Sequence, residues 1–594
     1  MKSKIYLILI SSILLSACAG AGKRYVLKSP SGEIGVSVTD SGLMVSYEKR
    51  PIQFIKMDIT PVGKKAVALK TGDTPLEYHM LSGKRSDCFN IFRQMLLRCE
   101  GLVLNLRVFN DGVVLRKITD GTDPEISYII PDGQKRWSQN LRTDYEGFYP
   151  MRTEARSGSY GYPLLTEYAD GLFGLISESD VQHGMSGSHL EVRDDNAYHI
   201  KYMSEGESEN GISPAFVLII GSLADIVEST LVTDVATPCQ IKDISWIHPG
   251  LSSWIYWAYN HSSKDFGKVK EHIDLAAEMR WPYTLIDWEW DEMAGGGDIE
   301  DAMAYAREKG VKVNLWYNSG TSWIGPGAPS PQDRLRTAEA RESEMTRLEN
   351  MGATGIKVDF FLPDGAEMID YYLDILEDAA RHRLLVNFHG CTVPRGWNRT
   401  WPNLMTMEAV YGAEWYNNTP RMTQAAASHN ATLPFTRNVI GPMDYTPCTF
   451  SDSQHKHITT DCHELALPIL FESGLQHMAD RPESYMSLPY RVKDLLMGLP
   501  SAWDDTRLLA GYPGESAVIA RRSGDRWYIA GINGTDEVLE IAPDFSRLEQ
   551  KGKVTVFTDR GQEPGQGFEI NENVDLPETF ILQPRGGFVI LADK

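Results

Sequence analysis

The chain has 594 residues, 42% hydrophobic and 23% charged, enough to bury more than one core, so disorder and fibrous repeats are excluded. Its 58 Lys and Arg against 80 Asp and Glu leave a formal charge of −22, which repels phosphate backbones and anionic membranes and argues against a nucleic-acid partner. The 14 tryptophans and 26 tyrosines suit flat contacts with amphipathic ligands such as sugars, and suit ordinary cores equally.

Residues 1–17 read as an export address. Lys2 and Lys4 precede an apolar run from Ile5 to Leu15, and Leu15-Ser16-Ala17-Cys18 closes it with small residues before a cysteine. The run is shorter than the about 20 residues needed to span a bilayer. It resembles a bacterial lipoprotein signal, which predicts a lipid anchor on Cys18 and a body in the periplasm or at the cell surface, with a plain secretory signal as the alternative. Cys88, Cys99, Cys239, Cys391, Cys448 and Cys462 form no CxxC pair. Cys88 with Cys99, or Cys448 with Cys462, are near enough for a disulfide, but a chain this large needs no staples, so mostly free, buried thiols are expected.

Three folded regions follow. Residues 18–244 alternate in the manner of strands, as in Ile34-Gly-Val36-Ser-Val38 and Leu104 to Phe109, with Asn110-Asp111-Gly112 as a turn signal; this predicts an N-terminal β-sandwich. Residues 245–503 alternate strand-like with helical runs and predict a (β/α)8 barrel. Its strands are expected at Ser253–Tyr259, Tyr283–Asp287, Val311–Tyr317, Gly355–Phe360 and Leu384–Phe388, with weaker candidates at Leu404–Met407, near Val439–Met443, and at Leu475–Met478. Helices are expected at Val269–Met279, Ile299–Lys309, Arg334–Met351 and Met368–His382. Residues 504–594 return to alternation and predict a C-terminal β domain.

Barrel active sites gather where strands end, and carboxylates stand there. Asp287 closes the second strand, Asp359 the fourth, and Glu408 and Glu414 bracket the loop after the sixth. Period-two alternation points Lys357 and Asp359 to one side. Two carboxyl groups are what glycoside hydrolysis requires: one protonates the leaving oxygen, while the other attacks the anomeric carbon or activates water. Lys357 is expected to help keep Asp359 ionised. Trp288, Trp290, Trp316, Trp397 and Trp415 lie at or beyond strand ends, where one or two can stack on a sugar while the rest pack between loops. Asp287, Lys357, Asn387 and His389 are candidate ligands for sugar hydroxyls, with Trp288 and Trp316 as the stacking candidates. No Gly-x-Ser-x-Gly elbow or His-Glu-x-x-His helix lies near the strands, which disfavours an esterase or a protease.

The runs Gly355-Ile-Lys-Val-Asp-Phe360, Leu385-Val-Asn-Phe-His-Gly390, Pro394 to Asn403 and Met407-Glu-Ala-Val-Tyr-Gly-Ala-Glu-Trp415 resemble glycoside hydrolase family 97. Leu27 to Gly32 and Val108 to Arg116 resemble that family's sandwich. The resemblance implies action on α-glycosidic bonds and a bound Ca²⁺. It also implies a choice of mechanism. The retaining branch has its aspartate nucleophile where Asp359 stands, whereas the inverting branch has a base glutamate where this chain has Gly390. Glu414 matches the acid, which in a retaining enzyme then acts as base, and its pKa would need raising. Glu178 and Glu408 match carboxylate ligands of the ion, with Glu414 beside them; Glu178 would bring the sandwich to the metal. The reading is a calcium-dependent retaining exo-α-galactosidase, with an α-glucosidase or a non-catalytic carbohydrate-binding surface lipoprotein as alternatives.

Overall fold

The computed structural model describes residues 25–593 apart from 60–66, 100, 120–123, 205–210, 256–262, 326, 417, 453 and 551. The export segment and Cys18 lie outside the described residues. Among those described, no helix is long and apolar enough to cross a membrane.

The N-terminal region forms 17 described strands that hydrogen-bond in one continuous network, with antiparallel pairings such as Leu104 opposite Lys117 and Ile176 opposite Leu218. The strand Ala215–Gly221 is buried at every position because both of its faces are covered. Phe216, Leu218 and Ile220 point into the region's own core with Val36, Leu104 and Ile176. Ala215, Val217 and Ile219 point the other way, into the core shared with the barrel. Period two thus divides one strand between two cores. The C-terminal region is a six-stranded antiparallel sheet with a two-stranded ribbon, around Val518, Ile529, Val556 and Ile590.

Between them lies a parallel sheet of seven strands: Gly250–Trp254, Tyr283–Ile286, Lys312–Asn318, Gly355–Asp359, Leu385–Phe388, Leu404–Met407 and Leu475–Met478. The last pairs with the first, so the barrel closes except at one place. Helices Phe266–Glu278, Ile299–Lys309, Ala338–Met351 and Ala366–Arg381 alternate with the early strands. The Ile299–Lys309 helix has the expected bounds because both ends are written locally: Asp298 and Asp301 form a reciprocal capping box, and Gly310 closes it at φ +74°. The next helix starts at Ala338 rather than Arg334, since the Thr337 side chain caps it.

Two strand expectations are corrected. The first strand is Gly250–Trp254 and so begins before the expected Ser253, while residues 256–259 of that expectation lie outside the described residues; its serines look like a loop in sequence, yet Ser253 Oγ donates to His272 O at 2.7 Å and contacts Thr284 Oγ1 at 2.8 Å inside the barrel wall. The segment near Val439–Met443 is not a strand, so the nearly closed barrel has seven parallel strands among the described residues. Arg437–Val439 is a short 3₁₀ turn, Gly441 sits at φ +144°, and Pro442 has no N–H to donate. Arg437, fully buried, fills the gap by donating to the carbonyls of Met407, Glu408, Ala409, Gly441 and Pro442 at 2.8–3.1 Å. Cys88, Cys391, Cys448 and Cys462 are free and buried as expected, while free Cys239 is exposed.

Candidate active site

The parallel strands all end at one mouth, and there the fourth strand delivers Asp359. Its Oδ1 accepts the Phe360 N–H at 2.8 Å and its Oδ2 accepts the Trp316 indole N–H at 3.1 Å. Trp316 lies in register with Lys357 on the neighbouring strand, so sheet pairing sets the indole beside the carboxylate. Gly390, at the end of the fifth strand, has φ +47°, and a Cβ there would lie 2.9 Å from Asp359 Oδ1 and 3.0 Å from Phe360 N. A side chain at 390 therefore competes with a carboxylate at 359 for the same space. Burial raises the Asp359 pKa, and the charges of Lys357 and His389 oppose that rise without reversing it.

Lys357 and Asp287 meet each other across the mouth, Nζ to Oδ2, at 3.2 Å. Asp287 Oδ2 also accepts the Trp254 indole N–H at 2.7 Å, and Lys357 sits 4.9 Å from the Trp254 ring centroid. Burial works against the Lys357 charge, but Asp287 and Asp359 outweigh it and hold its pKa above the ordinary lysine range.

A second group forms beside Asp359. His389, Glu408 and Glu414 bring one ligand atom each within 4.8 Å of one another. His389 Nε2 donates to Asp444 Oδ2 at 2.7 Å, and the same oxygen accepts from Asn387 Nδ2 at 2.9 Å and His477 Nδ1 at 2.6 Å. Asp444 carries no sequence signal, because it comes from the irregular segment where a strand was expected. Burial opposes the His389 charge, yet Glu408 and Asp444 push its pKa up to about 10. Burial alone would raise Glu408, but His389 and the Gly390 N–H, 2.7 Å from Oε2, bring it below its usual value. Glu414 goes the other way: burial first, then the nearby Glu408 charge, lifts it well above the ordinary carboxyl range. That is the direction a general acid needs.

The N-terminal region does send a carboxylate here, but it is Glu146 rather than Glu178. The Trp415 indole N–H, one residue beyond Glu414, donates to Glu146, and burial together with the charges of Glu408, Asp144 and Glu414 raises the Glu146 pKa strongly. Neither Glu146 nor Glu178 supplies an atom to the His389, Glu408 and Glu414 group. The Glu178 oxygens take Arg395 Nε at 2.6 Å, Ser188 N at 3.1 Å and Ser188 Oγ at 2.5 Å, in an ion pair with no solvent exposure on either side chain. A fully buried guanidinium claims the carboxylate that the sequence offered to the metal. Glu178→Gln is therefore expected to cost about 1–3 kcal/mol of stability, read by thermal or denaturant melting, because Arg395 loses one charged partner but keeps Asp364 at 2.6 Å; unchanged stability would remove the structural role of Glu178.

The donor set suits a hard cation. Glu408 Oε1 is buried with no hydrogen-bond partner, three carboxylates crowd together with raised or opposed pKa values, and Ca²⁺ takes oxygen ligands. Of the five tryptophans, Trp290 and Trp397 are packing residues, fully buried with indole N–H groups on Trp316 O and Val181 O. Trp316 orients Asp359. Trp288 is half-buried, edge-on to Trp316 at 5.9 Å and stacked with Phe360 at 6.5 Å.

Models of this architecture match the chain in three consecutive blocks: "Glycosyl-hydrolase 97 N-terminal" over residues 27–238, "Glycoside hydrolase 97" over 251–410, and "Glycosyl-hydrolase 97 C-terminal, oligomerisation" over 502–592. A probable retaining α-galactosidase of Streptomyces bingchenggensis is 37% identical over 452 residues, covering 72% of this chain and 67% of that protein. A retaining α-galactosidase of Bacteroides thetaiotaomicron is 25% identical, covering 99% of this chain and 100% of its own. Among solved structures, a β-arabinopyranosidase superposes with TM-score 0.84 at 26% identity, and a family 97 enzyme of Pseudoalteromonas sp. strain K8 bound to acarbose with TM-score 0.81 at 18%; each covers 96% of this chain and 100% of the solved one. The second likeness speaks to the fold alone. Fold, site and relatives together define a retaining α-glycosidase. The chain belongs to glycoside hydrolase family 97.

Proposed function

We propose that the protein is a calcium-dependent retaining exo-α-galactosidase that removes terminal α-galactosyl residues from oligosaccharides by double displacement, carried on a lipid at Cys18 in the periplasm or at the cell surface. The observation that carries the mechanism is the exclusion between Asp359 and residue 390. Gly390 leaves room for a carboxylate at the fourth strand end and supplies none itself, so the protein rather than a water attacks the sugar. In the first step Asp359 Oδ bonds to the anomeric carbon while Glu414 protonates the departing oxygen. In the second Glu414, now a carboxylate, takes a proton from the water that displaces Asp359. Asp287, Lys357, Trp288 and Trp316 line the mouth where the sugar would sit, and Asn387 and His389 are held rigid beneath it by Asp444. With both carboxylates of the pair present, a purely sugar-binding role has less support.

Glu408 and Glu414 would hold the calcium ion, with Glu146 beside them at the Glu414 turn. Bound there, the ion supplies positive charge that offsets the crowded carboxylates and can polarise a sugar oxygen.

The galactoside choice rests on the two relatives named retaining α-galactosidase. The likeness to a β-arabinopyranosidase supports a second reading, since a β-L-arabinopyranoside has the same ring configuration and lacks only the C5 hydroxymethyl group. Purified protein should turn over 4-nitrophenyl α-galactoside in preference to the α-glucoside and the β-L-arabinopyranoside, lose that activity with chelator and regain it with Ca²⁺. NMR of early product should show α-galactose first. Initial β anomer would remove the retaining mechanism, and preferential turnover of either other glycoside would change the substrate while leaving the mechanism intact.

A further inference from the structure

Phe360, the residue after Asp359, is a bulky residue in the left-handed region, at φ +69°, where a side chain is strained. Strain of this kind persists only where the surroundings impose it, and here the third strand and its loop do so. The Phe360 carbonyl accepts two side-chain donors, Ser319 Oγ at 2.5 Å and the Trp323 indole N–H at 2.8 Å. Ser319 is itself fixed: its N–H donates to Asp359 O at 2.9 Å, and its own carbonyl accepts the Tyr371 hydroxyl at 2.8 Å. The Arg336 guanidinium lies 4.5 Å from the Trp323 ring centroid and backs the indole.

The strained backbone has one visible product. It turns the Phe360 N–H back onto Asp359 Oδ1, while Trp316 holds Oδ2. Gly390 makes room for it, since a Cβ there would lie 3.0 Å from Phe360 N and 3.2 Å from its Cα. We propose that Ser319 and Trp323 are positioning residues of the reaction, which clamp the Phe360 carbonyl and thereby hold the Asp359 carboxylate in the attacking orientation. This rests on the reading of Asp359 as the nucleophile. Without the clamp Phe360 relaxes, its N–H leaves Oδ1, and the carboxylate rotates about the Cβ–Cγ bond with only the Trp316 hydrogen bond to restrain it; attack geometry of this kind is sensitive to small displacements.

The test uses Trp323→Phe, which keeps a ring for packing but has no N–H, and Ser319→Ala, which removes only a hydroxyl. Each is measured with 4-nitrophenyl α-galactoside in the otherwise unaltered enzyme and, separately, in the Asp359→Gly enzyme supplied with azide. In the former, kcat should fall about 10- to 100-fold with KM within about threefold. In the latter the nucleophile is azide, so the same substitutions should leave the rescued rate unchanged. Unaltered kcat in the first setting, a loss confined to KM, or an equal fold-loss in both settings would overturn the clamp and leave Ser319 and Trp323 as packing residues. Failure of the underlying reading looks different: Asp359→Gly would keep near-normal turnover without azide. Were azide to give no rescue, the kcat and KM split of the single variants, taken with unchanged thermal melting, decides the clamp.

Discussion

Asp359→Gly is expected to lower turnover of an aryl α-galactoside by roughly 10⁴-fold or more, because the atom that bonds to the sugar is gone. The substitution also opens space next to Gly390, where the Asp359 carboxylate had been packed against backbone. A small anion such as azide or formate fits that space and can attack the anomeric carbon directly. Rescue by azide should therefore give β-galactosyl azide, the product of a single displacement. Residual turnover close to that of the unaltered enzyme, without added anion, would pass the nucleophile's role to another strand-end carboxylate, of which Asp287 is the first candidate. Asp287 is nevertheless tied to Lys357, Trp254 and the Trp288 N–H, three attachments that leave it poorly placed to move onto a sugar.

The second large effect belongs to Glu414→Gln. An amide cannot donate the proton that an alkoxide leaving group needs, so natural disaccharides should lose about 10²- to 10⁴-fold in the first step. Activated phenols leave without protonation, and their release should fall less than about tenfold. The deficit then moves to the second step, where no base remains to activate water. Azide, which needs no base, should relieve that step and give α-galactosyl azide by double displacement. The two variants thus return opposite anomers under the same rescue. Identical anomers from both, or equal losses for good and poor leaving groups in Glu414→Gln, would contradict the separation of roles. Burial and then the Glu408 charge push the Glu414 pKa upward, the direction that favours a proton donor.

Much of this site was legible in the chain because it lies on regular strands. In Gly355-Ile-Lys-Val-Asp359, alternation alone places Lys357 and Asp359 on the inner face and Asp359 at the open end, and the structure puts them there. The same holds for Asp287 and for Asn387 with His389. The helices whose caps are encoded within four residues, as at Asp298 and Gly310, were readable to the residue. The irregular segment near Val439–Met443, expected as a strand, was not. Val439-Ile440 looks apolar enough, but the hydrogen bonds that a strand would make there are replaced by those of one buried arginine, and no local pattern announces that substitution.

What only the tertiary structure decided are relations between residues far apart in sequence. Glu146 reaches the Glu414 turn through Trp415, 269 positions away, whereas Glu178, equally acidic on the page, is consumed by Arg395. The choice between them depends on which buried cation packs nearby, a fact of three dimensions. The same reason applies to the pKa values. Two glutamates six residues apart, Glu408 and Glu414, are driven in opposite directions because one faces His389 and a backbone N–H while the other is buried beside a negative charge. Residue type and period determined which groups stand at the mouth of the barrel; desolvation and distant neighbours determined what each of them does there.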